Sequence, residues 1–135
     1  EEVLMDFKKF LAIGLTVGIA ANIVDFLVHG QLLADLYSHP PFRQGVNPGW
    51  MILSDFVAAF VFAWFYLAVA GSFAPGVPGG ATMGFYTGVL LIFPAAILMY
   101  LMFEGIPYYL AWIWIFYTVA WYVCAGAIAG AINRN

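Results

Sequence analysis

Asn22, Asp25 and His29 are the residues best placed to do chemistry together. On an α-helix their spacing puts them within an arc of about 60°. An amide, a carboxylate and an imidazole then share one face, inside a stretch that is otherwise apolar. Asp55 and Glu104 add carboxyl groups near the ends of two further apolar stretches. A charged side chain at mid-membrane costs about 2.5–3.5 kcal/mol, so a group kept there is a functional hypothesis by default. Asp25 and His29 read either as a structural i,i+4 pair that pins helix packing or as a site for a proton, a cation or a small polar ligand. For Asp55 the plainer reading is an interfacial carboxyl hydrogen-bonded to a neighbouring helix. For Glu104 it is a solvated helix end. His39, between Ser38 and Pro40, reads as a surface-loop residue.

Several chemistries lack their residues. There is no H-E-x-x-H metal motif, no cysteine pair, no phosphate-binding loop and no dinucleotide fingerprint, so the sequence names neither cofactor nor metal. Adjacent Ser54 and Asp55 point about 100° apart on a helix, which rules out a triad with His29. Cys124 is the single cysteine and reads as a small buried hydrophobe. Trp112, Trp114 and Trp121 could line a ligand cavity, but bulk packing is the simpler role.

The elements that must position these groups follow from composition. Of 135 residues, 65% are hydrophobic and only 8% charged. A water-soluble domain carries roughly 25% charged residues, so much of this surface must meet lipid. The net charge of −3 comes without a basic run, which gives no footing for nucleic acid. Four apolar runs, about 10–28, 50–70, 82–103 and 108–132, are each long enough to cross a core of roughly 30 Å as helices. None shows the strict alternation of a barrel strand. The expected fold is an all-α integral membrane domain, a bundle of four transmembrane helices. Glu1-Glu2-Val3-Leu4, ahead of Met5, reads as an addition before a native start.

Asn47-Pro48-Gly49 reads as a turn into the second span, with Trp50 as an interfacial anchor. The second connection, 71–80, reads as an uncharged loop rich in glycine and proline, and Pro107 suits the first turn of the fourth helix. Pro94 is expected to kink the third. Lys8 and Lys9 precede the first span and Arg134 follows the last. With four spans both termini share a side, and the positive-inside rule makes it cytoplasmic, with Arg43 alone dissenting. Asp25, His29, Asp55 and Glu104 then fall in the outer third of the membrane or at its outer edge. The inner half carries the pairs Gly14/Gly18, Gly84/Gly88 and Gly126/Gly130, where small residues let helices approach closely. Gly14 and Gly18 continue the stripe of Asn22, Asp25 and His29. Ala59, Phe62 and Tyr66 continue the Asp55 face, and Tyr100, Ile97 and Tyr86 line up beneath Glu104. Gly84 and Gly88 lie nearly opposite Glu104 around the third helix, so either that helix packs on two neighbours, or one of the two features faces lipid or a second protomer, or the kink at Pro94 rotates one half against the other.

The segment from Asn22 to Tyr37 carries an H-G-x-L-L-x-x-x-Y pattern at His29, Gly30, Leu32, Leu33 and Tyr37. It resembles a signature of bacterial four-helix inner-membrane proteins that have no assigned activity. Trp50 at the start of the second span and the ending Asn133-Arg134 extend the likeness. The resemblance implies the same fold and marks the region of His29 without naming a function.

The leading expectation is a non-enzymatic polytopic protein with an outward-facing polar pocket of Asn22, Asp25, His29, Asp55 and Glu104 that binds a cation, a proton or a small polar ligand. The competing class is an accessory or assembly subunit, a homo-oligomer or part of a larger membrane complex, docking through its glycine faces. A membrane enzyme acting on lipid or quinone comes third. In every case the lipid bilayer is the first partner.

Overall fold

The first helix needs a donor-satisfying start, and Asp6 supplies it. Its Oδ1 accepts the backbone N–H groups of Lys8 and Lys9, both at 3.1 Å. In the computed structural model, which describes residues 6–134, α1 runs over Phe7–Leu27 and passes directly into a π-helical turn, Val28–Leu32. A short helix α2 covers Ala34–Tyr37. The longer elements are α3 (Pro48–Val69), α4 (Gly76–Met102) and α5 (Tyr108–Ile132). No strand occurs among the described residues. Residues 1–4 and Met5, read above as an added leader and a start, lie outside the described residues.

Four helical stretches reach membrane-spanning length: Phe7–Leu32, Pro48–Ser72, Gly76–Met102 and Tyr108–Ile132, of 25 to 27 residues each. At 1.5 Å per residue each is about 40 Å long, more than a hydrocarbon core of roughly 30 Å needs. Their exposed side chains include large apolar residues such as Ile23, Trp64, Leu90 and Phe116. That is the surface an integral membrane protein presents to lipid.

The chain divides into two compact units, Glu1–Ala68 and Val69–Asn135. In the first, α1 meets α3 through rings fitted over glycines. A Cβ at Gly14 would collide with the Phe60 ring, and one at Gly18 with the Phe56 ring. In the second, α4 and α5 pack backbone to backbone. A Cβ at Gly80 would strike the carbonyl of Gly126, one at Gly84 the carbonyl of Tyr122, and one at Gly130 the carbonyl of Gly76. At Gly88 it would come within 2.9 Å of the Val119 Cα. Gly84 and Gly88 therefore face α5.

Some expectations need correcting. α4 starts at Gly76, not Thr82, because Pro78 falls in its first turn, where a missing N–H costs nothing. Gly79 and Gly80 thus belong to a helix rather than a loop, and Gly80 serves close approach. Pro94 sits inside α4, which continues to Met102. Cys124 is exposed rather than buried. It lies about 200° around α5 from Gly126, on the side away from α4.

Candidate functional site: a carboxyl, imidazole and phenol cluster

Polar side chains inside apolar helices usually return their hydrogen bonds to their own backbone. Asn22 does so, its Nδ2 donating to the Gly18 carbonyl at 2.9 Å. Thr87 donates to the Met83 carbonyl and Thr82 to that of Pro78, each at 2.9 Å. Asp25, His29 and Asp55 behave differently: their partners lie on other turns or other elements.

Asp25 stands in the last turn of α1 and Asp55 in the second turn of α3. The two carboxyl groups lie close enough across α1 and α3 for their side chains to interact. An ionised carboxylate only accepts, so a hydrogen bond between the two would need a proton on one of them. α3 is held at its start by Asn47, whose Oδ1 accepts the Gly49 N–H at 2.8 Å and whose carbonyl accepts the Trp50 N–H at 3.1 Å. That cap satisfies two of the free N–H groups at the start of α3.

Beyond Asp25 the helix widens. The Leu33 N–H reaches the Val28 carbonyl at 2.8 Å, an i→i+5 bond that takes one extra residue into the turn. His29 is in this turn, followed at once by Gly30, which has no side chain to crowd the ring. Its Nε2 lies 3.9 Å from Asp25 Oδ1, and its Nδ1 is 2.9 Å from the Tyr37 hydroxyl. Both ring nitrogens therefore face a group that can exchange protons. The side chains of His29 and Asp25 remain 25% and 35% exposed.

Tyr37 closes α2 and is itself held. Its ring meets Phe42 edge-on at 5.0 Å, and the Gln44 Nε2 donates to the backbone carbonyls of Tyr37 (2.8 Å) and Phe42 (3.0 Å). Tyr37 is the participant that sequence reasoning did not assign to the site. The signal was present, since His29 and Tyr37 are the first and last residues of the H-G-x-L-L-x-x-x-Y pattern. Ordinary helical phase would put residues eight apart about 80° apart, and it was the π turn that could not be read.

The other sequence candidates are placed elsewhere. Asn22 is engaged with its own helix. Glu104 does not close α4, because that helix stops at Met102 and Phe103 is extended. It lies in the turn to α5, where Gly105 takes a positive φ of 85°. There it helps line an open depression of about 420 Å³ with Tyr100, Leu101, Phe103, Gly105 and Ile106. It belongs to the second unit. Trp112 packs edge-on against Phe93 at 5.9 Å, a packing contact between α4 and α5. Ser54 is exposed. Among the described residues, no three histidine, cysteine, aspartate or glutamate side chains come together to hold a metal ion.

Neither family models, nor curated proteins, nor solved structures match this chain.

What the arrangement can do follows from its own groups. Two neighbouring carboxyls can share a proton, and an imidazole beside them offers a second group able to take one. All three are within spanning helices, where few waters compete.

Proposed function

We propose that this chain is a small polytopic protein of a bacterial inner membrane whose Asp25–Asp55 pair binds a proton, with His29 as the neighbouring exchange group. The observation that carries the reading is the clustering of ionisable groups inside spanning helices: His29 Nε2 lies 3.9 Å from Asp25 Oδ1, and the Asp55 carboxyl on α3 neighbours Asp25, an arrangement in which like charges favour a shared proton. A purely structural clamp between α1 and α3 could be made more cheaply by Asn or Ser, whose hydrogen bonds need no titrating group. Lys8, Lys9 and Arg134 support cytoplasmic termini. The pair, at the end of α1 and the start of α3, then lies toward the outer face of the membrane.

Proton counting tests this. The full chain in detergent is titrated with a pH indicator from acid to alkaline conditions, beside Asp25→Asn and Asp55→Asn. Each variant should release about one proton fewer than the parent, and each should stay folded, since an amide can still bond to the remaining carboxyl. Equal proton release by all three proteins would mean that the pair does not titrate and acts as a clamp.

A further inference from the structure

His29 has a two-sided setting that proton storage alone does not require. Nε2 faces Asp25 at 3.9 Å while Nδ1 meets the Tyr37 hydroxyl at 2.9 Å. The titratable groups around the ring are Asp25 on α1, Tyr37 on α2 and, through Asp25, Asp55 on α3. We infer that His29 and Tyr37 form the exchange path between the carboxyl pair and water, with the imidazole relaying the proton and the Tyr37 hydroxyl as the outer station. The inference rests on the reading of Asp25 and Asp55 as a proton site.

Three features support it. An imidazole can take a proton on one nitrogen while releasing one from the other, and it does so near neutral pH. His29 meets Asp25 by i,i+4 spacing, and the π turn that holds it brings Tyr37 to its other side; such turns recur at functional sites. Tyr37 is the last residue of α2. After it the chain runs through residues 38–47, all exposed except Phe42, so the phenol lies where the apolar helix gives way to a solvated loop. The Phe42 ring and the Gln44 side chain fix it there.

The outward step balances without any further reactant. The carboxyl O–H proton passes to His29 Nε2, and the Nδ1 proton passes to the Tyr37 oxygen as the Tyr37 hydroxyl proton leaves to water. No bond to carbon changes and nothing is oxidised. Return of a proton from water to the pair runs the same path backwards. The Asp25–His29 gap must close by about 1 Å to reach hydrogen-bonding distance, a movement within the freedom of two partly exposed side chains.

The test separates rate from equilibrium. The full chain in detergent is followed by time-resolved infrared spectroscopy, reading the protonated-carboxyl carbonyl band after a pH jump. In Tyr37→Phe and His29→Gln the band should reach the parent's final amplitude but roughly 100-fold more slowly, within the range usual for loss of a positioned acid–base group. Free imidazole in the buffer should restore much of the rate in His29→Gln. Tyr37→Phe keeps the ring against Phe42, and a melting curve like the parent's would show that packing is intact. Parent-like rates in both variants would overturn the relay. Slow exchange in His29→Gln with a parent-like rate in Tyr37→Phe would overturn the role of Tyr37 as outer station. Absence of any titrating band in the parent would instead overturn the underlying reading of Asp25 and Asp55.

Discussion

Replacing Gly126 by alanine should separate α4 from α5. The added Cβ would collide with the Gly80 carbonyl oxygen, come within 2.8 Å of its carbon and within 3.1 Å of the Gly84 Cα. Carbon atoms pack best at roughly 3.5–4.0 Å, so one helix must retreat by about 0.7 Å or more. Neither obstacle can turn aside, because both are backbone. A gap of 0.5–1 Å forfeits a quarter to a half of each neighbouring contact along the seam. Overpacking of this kind costs about 1–3 kcal/mol. The better helix propensity of alanine returns at most about 1 kcal/mol. A net loss of about 1–2 kcal/mol is expected, read as a lowered midpoint in reversible unfolding of the detergent-solubilised protein. Gly71→Ala is the matched control, since a Cβ there meets nothing within 4 Å and its φ is negative. If Gly126→Ala unfolds like Gly71→Ala, the backbone seam between α4 and α5 is wrong.

Gly18→Ala should cost less than Gly126→Ala, because its Cβ meets the Phe56 ring, which can rotate, rather than backbone; Gly18→Leu would exceed that freedom and melt lower than either. Asp25→Asn and His29→Ala should be non-additive in stability by about 0.5 kcal/mol or more, as residues in contact are, and a double-mutant cycle measures it. Asp6→Ala removes the acceptor of two backbone N–H groups and should lower stability by about 1 kcal/mol in the same unfolding assay. Reporter fusions at each terminus should both report the cytoplasm; a C-terminal fusion active only outside it would reverse the orientation and move the carboxyl pair to the inner side.

Much of the fold was legible because lipid imposes a simple rule. A backbone with no water to bond must satisfy itself, so long apolar runs become helices. Where the runs end was less legible. The start of α4 was read six residues late, since Pro78, Gly79 and Gly80 look like a loop until Pro78 is seen to sit in a first turn and Gly80 to lie against Gly126. Cys124 was misread for want of a partner, because an apolar residue in a spanning helix can face lipid as easily as protein. The site divides in the same way. Asp25 and His29 share a face by spacing alone, which local geometry fixes. The approach of Asp55 to Asp25 depends on the register between α1 and α3, where phenylalanine rings lie over Gly14 and Gly18, and no local pattern encodes it. The His29–Tyr37 bond depends on the π turn, whose extra residue shifts every later side chain around the axis. Glu104 was assigned by continuing a helical phase past Met102, where the helix had already ended.

The proposed proton site at Asp25 and Asp55 can be tested directly. Aspartate labelled with ¹³C at the side-chain carboxyl gives four resonances in this chain, from Asp6, Asp25, Asp35 and Asp55, each assigned by its Asp→Asn variant. In the membrane-embedded protein, Asp25 and Asp55 should show a cross-peak to each other and change together as one proton is taken up on lowering the pH. Resonances for Asp25 and Asp55 that change independently of each other over the whole titration, with no cross-peak between them, would contradict the proton site.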